Sequence, residues 1–234
     1  MVFPACQSSK PCLVRHVPDR QNLRPFLARD ARRRAGGGRG HGGVRVLPPS
    51  PRHLGLGAAR DLGKLVKGRA SKVALSVDAD DATLDGIVDA LQPDILQLHG
   101  RETIARLDEI KRKFSLPVMK AIAVETSADL AALTGYASVA DRILFDARAP
   151  REATRPGGLG AVFDWHILQG VELKIPFMVS GGLHAGNVTQ AIRDTRAGGV
   201  DVSSGVEAEV GQKDPDMIRA FIKAARASEE LMVR

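Results

Sequence analysis

From Lys72 onward the sequence alternates short apolar, β-branched runs with amphipathic stretches of helical length. The runs are residues 73–77, 95–99, 117–122, 142–146, 176–180 and 200–203. Near-continuous apolarity over such short segments fits strands buried on both faces, as in a parallel sheet. Between them, residues 102–114 carry Ile104, Leu107 and Ile110 at helical spacing, and further helices are expected over 187–196 and 215–227. Pro215 suits a first helical turn, where a missing N–H loses no intrahelical partner. Parallel strands joined by helices need right-handed crossovers, so the class is α/β. Six such units are compatible with a doubly wound sheet or with most of an eight-stranded barrel. No Gly-x-Gly-x-x-Gly follows an early strand. Polar and glycine residues gather at the C-terminal ends of the late strands, where (β/α)8 TIM barrels carry their active sites and bind phosphate. The expectation is such a barrel.

The chain has 234 residues, 44% hydrophobic and 26% charged, with two cysteines. That length suits a single barrel domain. No apolar run approaches the roughly 18 residues of a membrane-spanning helix. Cys6 and Cys12 make neither a disulfide framework nor a four-ligand zinc site. The first residues lack the apolar stretch, roughly 7–15 residues, of a secretory signal. A soluble, cytoplasmic chain without a membrane partner is expected.

The net charge of +7 is unevenly placed: residues 1–53 hold 11 Lys+Arg against Asp19 and Asp30, whereas residues 54–234 hold 23 against 25 acids. The basic segment contains Arg32-Arg33-Arg34 and a Gly/Arg run over 36–43, has little apolar periodicity, and is expected to be disordered. It reads as an Arg/Gly-type RNA-binding arm, as a transit peptide, or as a segment with no function of its own.

Ser180-Gly181-Gly182-Leu183 ends one strand and residues 201–207, Asp-Val-Ser-Ser-Gly-Val-Glu, end the next. Glycines let backbone N–H groups close on an anion, and a following helix N-terminus adds a favourable dipole. Ser203 and Ser204 add hydroxyl donors. A single Gly-Gly pair more often only turns the chain, but two such motifs on successive strands favour a phosphate site. Asp146 ends the run Ile143-Leu144-Phe145, at a barrel mouth where partial desolvation favours a protonated, proton-donating carboxyl. A helix N-cap or a pair with Arg148 is its plainer role. His99 in Gln97-Leu98-His99-Gly100 is either catalytic or a structural hydrogen-bonding group. Gly157-Gly158-Leu159-Gly160 is either a loop over the mouth or a flexible connection.

Taken in order, Leu96-Gln97-Leu98-His99-Gly100, Leu144-Phe145-Asp146, Gly158-Leu159-Gly160 with Phe163-Asp164-Trp165, Ser180-Gly181-Gly182-Leu183 with Asn187-Val188, and residues 201–207 resemble the phosphoribosylanthranilate isomerase family of tryptophan biosynthesis. The resemblance spans about residues 48–228, and residues 202–207 are its most specific piece. Ser50-Pro51-Arg52 is similar to that family's motif after its second strand. The resemblance implies an isomerase that converts N-(5-phosphoribosyl)anthranilate to 1-(2-carboxyphenylamino)-1-deoxyribulose 5-phosphate by an acid/base Amadori rearrangement. It implies no metal or cofactor, a small phosphorylated substrate, no nucleic-acid partner, and a monomer or homodimer. Matched by motif, Asp146 is the general acid and Arg52 lies near the anthranilate carboxylate, where a guanidinium fork suits a planar anion. His99, Gly158, Gly160, Gly181, Gly182, Asp201, Ser203, Ser204 and Gly205 match substrate-binding positions.

Three other readings compete. An indole-glycerol-phosphate synthase type would want a catalytic lysine at a strand end, for which Lys120 is available. An epimerase type would want metal-ligating His and Asp on several strands, and only His99 is available. An Arg/Gly-rich nucleic-acid-binding protein would lose RNA affinity with residues 20–45, and that affinity would fall steeply with salt.

The resemblance has one gap. The family's general base is a cysteine in an Ile-Cys-Gly motif ending the first strand, and that motif is absent. Cys6 and Cys12 lie in no apolar run and neither precedes a glycine. The first two strands are expected to be lost or disordered, leaving residues 1–47 as an aberrant segment and residues 48–234 as the barrel-like body. A shifted reading frame accounts for this. Residues 22–26 can be encoded AAT CTG CGG CCT TTC, which one base later reads Ile-Cys-Gly-Leu. Residues 41–47 can be encoded CAT GGT GGG GTT CGT GTT CTT, which in the same shift reads Met-Val-Gly-Phe-Val-Phe, a good second strand. The frame returns near Pro48-Pro49. As written, the chain is expected to have little or no isomerase activity.

Overall fold

The computed structural model describes residues 41–45, 53–66, 70–148 and 162–232. Six strands, β1 (His41–Arg45), β2 (Ser71–Ser76), β3 (Ile95–Leu98), β4 (Val118–Val124), β5 (Arg142–Ala147) and β6 (Phe177–Val179), form one parallel sheet in the order β1-β2-β3-β4-β5-β6. The chain then returns to the far edge of β6. Val179 N donates to Gly199 O at 3.1 Å, Asp201 N donates to Val179 O at 2.9 Å, and Val200 bridges Val179 in parallel. This unbroken order contains no reversal of the kind that defines a doubly wound sheet. It is the winding of a (β/α)8 barrel.

Helices α1 (Leu56–Val66), α2 (Asp81–Leu91), α3 (Ile104–Phe114), α4 (Leu133–Val139), α5 (Val188–Thr195) and α6 (Pro215–Met232) alternate with the strands. A 3₁₀ turn, Trp165–Leu168, follows β5, and a hairpin of β7 (Glu207–Glu209) and β8 (Gln212–Lys213) precedes α6. Three expectations are adjusted. The last helix runs on to Met232, and the strand expected over 200–203 is reduced to the single bridge at Val200. One of the two opening strands expected to be missing is present, because β1 pairs along β2 with His41 opposite Ser71 and Arg45 opposite Leu75. Backbone pairing depends little on side-chain identity, so a Gly-rich run can fill that place. The remainder of 1–47, including the residues back-translated to Ile-Cys-Gly, lies outside the described residues.

Side chains alternate between two cores. Val73, Ile95, Met119, Ala121, Leu144 and Met178, drawn from β2 to β6, form a buried cluster of their own. Val73 pairs with Ile95, and Leu144 pairs with both Ala121 and Met178, so these residues share the inner face of the sheet. The intervening Ala74, Leu96, Val118, Ile143, Phe145 and Val179 join Leu84, Ile87, Leu107, Ile110, Val188, Ile192 and Phe221 of the helices in a larger core. Each fully buried aliphatic or aromatic side chain contributes about 1.5–3 kcal/mol. Two buried faces are why the strands read as continuous apolar runs.

Beyond the carboxyl ends of β2 and β3, Asp80 and Thr103 cap α2 and α3 by accepting from Thr83 N (2.9 Å) and Arg106 N (3.1 Å). The opposite end of the sheet, where the strands start, is built for stability. Gln92, Ser115 and Arg196 end their helices at φ of 48°, 51° and 53°. Asp141 accepts from Val118 N at 2.9 Å and from Lys111 Nζ at 2.8 Å, fixing the start of β4.

The 3₁₀ turn after β5 carries a pH-sensitive pair. Asp164 Oδ1 accepts from His166 N at 3.0 Å and lies 2.8 Å from His166 Nδ1. That side-chain hydrogen bond, reinforced by charge attraction, raises the His166 pKa and lowers that of Asp164. A histidine pKa raised by folding contributes stability that is full below its unfolded value and lost as pH rises through the folded one. Both side chains are exposed, so the contribution is small. Asp164→Asn is expected to return the His166 NMR titration midpoint toward the ordinary histidine value; an unmoved midpoint would contradict the pairing.

Candidate active site

The inner-face parity of β3 continues from Ile95 through Gln97 to His99, that of β5 from Leu144 to Asp146, and that of β6 from Met178 to Ser180. The ladder runs one residue past the strands: His99 N donates to Ser76 O at 2.9 Å and Ser180 N to Phe145 O at 2.8 Å. These side chains are therefore set by sheet geometry. His99 Nε2 lies 3.0 Å from Asp146 Oδ2, with the two side chains only 7% and 5% exposed. Gln97, fully buried, places its Nε2 at 3.3 Å from His99 Nδ1. An amide NH₂ only donates, so with the amide in this orientation Nδ1 accepts and Nε2 carries the hydrogen that points at Asp146. Gln97 Oε1 is buried with no hydrogen-bond partner among the described residues, a condition costing about 1–3 kcal/mol. Arg148, the plainer partner for Asp146, pairs with Glu125 at 3.4 Å and with Asp129.

The turn carrying His99 is clamped from below. The Glu102 carboxylate accepts from Gly100 N (3.0 Å), Asp78 N (3.1 Å) and Lys120 Nζ (2.7 Å), and Lys120 also donates to Gly100 O at 2.6 Å. Tyr136 OH donates to Glu102 O at 3.1 Å, and the Lys120 ammonium sits 5.5 Å from the Tyr136 ring centre. Lys120 and Glu102 are each 3% exposed. Lys120 alternates with the inward Met119 and Ala121, so it faces the helix layer and serves the turn. It supplies no lysine to the mouth, which removes the support for a synthase. The sequence held a signal for this clamp: a lysine inside an apolar strand run must find a partner when buried.

The two Gly/Ser loops meet. Gly181 (φ 91°) and Gly182 (φ 58°) adopt left-handed backbone, and a Cβ on Gly181 would strike Ala147 of β5. A Cβ on Gly205 would strike the Leu183 carbonyl, so the loop after Val200 rests directly on the loop after β6. Asn187 staples the latter, accepting from His184 N at 2.8 Å and donating to Gly182 O at 3.0 Å. Lys213 of the hairpin supports the former, donating to Ser203 O at 2.5 Å and pairing with Glu207 at 2.7 Å, both side chains buried. Asp201 is 4% exposed at the same end of the sheet. Gly205→Ala is expected to cost about 1–3 kcal/mol through overpacking, read as a lower urea midpoint; an unchanged midpoint would mean the loops do not touch.

Thus His99, Asp146, Gly181, Gly182, Asp201, Ser203, Ser204 and Gly205 gather at the carboxyl ends of the strands. Arg52, Gly158 and Gly160 lie outside the described residues. Among the described residues no three His, Cys, Asp or Glu side chains form a metal-binding group. No helix among them is long and apolar enough to cross a membrane.

Unbroken parallel strand order with polar groups collected at the carboxyl ends defines an enzyme of the (β/α)8-barrel class. The family described as N-(5'-phosphoribosyl)anthranilate isomerase matches residues 50–224. A relative of that name from Bradyrhizobium diazoefficiens is 69% identical over 196 residues, covering 82% of this chain and 88% of its own. The phosphoribosylanthranilate isomerase of Thermotoga maritima superposes with a TM-score of 0.77 at 28% identity, covering 93% of this chain and 98% of its own. A structure described as monomers generated from that organism's dimeric enzyme gives 0.73 at 26%, with the same coverage. An isomerase in complex with reduced 1-(o-carboxyphenylamino)-1-deoxyribulose 5-phosphate also gives 0.73, at 25% identity, covering 93% and 98%. This chain belongs to the N-(5'-phosphoribosyl)anthranilate isomerase family.

Proposed function

We propose that this barrel converts N-(5-phosphoribosyl)anthranilate to 1-(2-carboxyphenylamino)-1-deoxyribulose 5-phosphate in tryptophan biosynthesis, with Asp146 as the acid. The observation that carries the assignment is the buried His99–Asp146 pair on the inner face, close to two loops in mutual contact. The loops present N–H groups and the Ser203 and Ser204 hydroxyls to the substrate phosphate, which fixes the sugar against the mouth. Asp146 gives its proton to the furanose ring oxygen. The C1–O bond breaks and the anthranilate nitrogen lone pair forms a C1=N iminium. A base then removes the C2 proton to give the enolamine, which tautomerises by gaining a proton at C1 and losing one from the C2 hydroxyl. No atoms are gained or lost, as an isomerisation requires. Asp201 and His99 complete the polar lining, and Arg52, Gly158 and Gly160, outside the described residues, are assigned by motif to the anthranilate carboxylate (Arg52) and to substrate binding (Gly158 and Gly160).

The base is the missing part. It belongs to the Ile-Cys-Gly that the written frame lacks, and the family match beginning at residue 50 supports a sequence boundary between an aberrant 1–47 and a body of 48–234, with residues 41–45 of the former supplying β1 by backbone pairing. The partner is a small phosphorylated molecule, as supported by the ligand of the solved relative. Nucleic acid has no part in the reaction, the setting is cytoplasmic, and the chain acts as a monomer or homodimer. The test is chromatographic: the frame-restored chain incubated with the phosphoribosyl adduct accumulates the aminoketose, whereas a folded chain that leaves the adduct untouched would refute the assignment.

A further inference from the structure

We propose that Gln97 is a positioning residue for the acid, its amide donating to His99 when the His99–Asp146 pair holds one proton and turning to accept when the pair holds two. With one proton, the hydrogen sits on Nε2 between the ring and the carboxylate, and Nδ1 accepts from Gln97 Nε2 at 3.3 Å. A second proton can be held in two ways. Either an imidazolium faces a carboxylate, or a protonated Asp146 donates to Nε2 of a ring whose hydrogen has moved to Nδ1. In both arrangements Nδ1 bears a hydrogen and needs an acceptor. The same Gln97 amide carries such an acceptor in Oε1, which is buried and has no hydrogen-bond partner among the described residues. A half-turn of the amide brings Oε1 to Nδ1.

Asn, Gln and His orientations in such a chain are set by the hydrogen-bond network as a whole. Here the network has two consistent solutions that differ by one proton. An acid that protonates a ring oxygen must start each turnover in the two-proton state and leave it in the one-proton state. Gln97 can bond to the ring in both. A methionine or leucine at 97 would fill the same space and serve neither. The kinetic meaning of this switch rests on Asp146 acting as the acid, but its structural content does not.

The experiment is nitrogen NMR of the histidine rings in the full chain at one near-neutral pH, with the His99 signal identified by its loss in His99→Asn. In the parent chain His99 is expected to show a hydrogen on Nε2 and none on Nδ1. In Gln97→Glu, where residue 97 can only accept, both ring nitrogens are expected to carry hydrogen. A folded Gln97→Glu chain whose His99 signals match the parent would overturn the proposal. If that variant does not fold, Gln97→Met decides. A shift of the Nδ1 resonance toward the unbonded position with Nε2–H retained supports the proposal, and an unmoved Nδ1 overturns it. A merely space-filling Gln97 would, in Gln97→Met, change stability and leave the Nδ1 resonance where it stands in the parent. Because no turnover is needed, failure of the isomerase assay and failure of this switch are separately visible.

Discussion

Rewriting residues 19–47 in the shifted frame, so that they read through Ile-Cys-Gly and Met-Val-Gly-Phe-Val-Phe, raises kcat by about 10²–10⁴-fold over the chain as written, the usual worth of a positioned general base. Asp146 and both Gly/Ser loops lie in the body after residue 48, so ring opening and substrate anchoring do not depend on the rewritten segment. On the proposed mechanism, removal of the C2 proton does, because the base belongs to the rewritten Ile-Cys-Gly. The rewriting also replaces His41-Gly42-Gly43-Val44-Arg45, which forms β1 beside β2. Glycines weaken a strand interior, and a poorly held edge on a parallel sheet invites association with other chains. The restored chain is therefore also expected to unfold at higher urea and to stay dispersed at higher concentration. Equal kcat in the two chains, both folded, would show that the base lies elsewhere.

In the frame-restored chain, Asp146→Asn is expected to lower kcat by about 10²–10⁴-fold while KM changes little. Asparagine has the same shape, and its Oδ1 still accepts from His99 Nε2, so the 3.0 Å contact and the packing around it survive. What it lacks is a proton to give to the ring oxygen. On the proposed reading substrate binding falls to the loops around Gly181, Gly182, Ser203, Ser204 and Gly205, which Asn187 and Lys213 hold in place. An effect confined to KM would make Asp146 a binding group, and an unchanged kcat would make another residue the acid. The comparison is made by initial rates at saturating substrate, with unfolding curves to confirm that both chains are folded.

The sequence showed the barrel because burial on both sheet faces leaves apolar runs that only a parallel sheet explains. It placed Asp146 and the two Gly/Ser loops at strand ends because the polar residues begin where those runs stop. Several features stayed out of reach. Gln97 alternates with apolar neighbours, and nothing in the pattern tells an inward amide from a surface one. The Lys120–Glu102 clamp joins residues 18 apart across helix α3, a pairing that depends on Lys120 facing the helices. The support of Ser203 by Lys213 comes from a hairpin too short to leave a periodic signal. The strand at His41–Arg45 was missed because it is made of residues whose propensities oppose it, and only pairing with β2 places it there.

The most direct test of where this protein works is an amide NMR titration of the chain with reduced 1-(o-carboxyphenylamino)-1-deoxyribulose 5-phosphate, which needs no general base to bind. The N–H signals of Gly181, Gly182, Ser203, Ser204 and Gly205 are expected to move together, with those of His99 and Asp146 following. Movement confined to other residues, or none at concentrations that saturate the frame-restored chain, would contradict a phosphate site between the two loops.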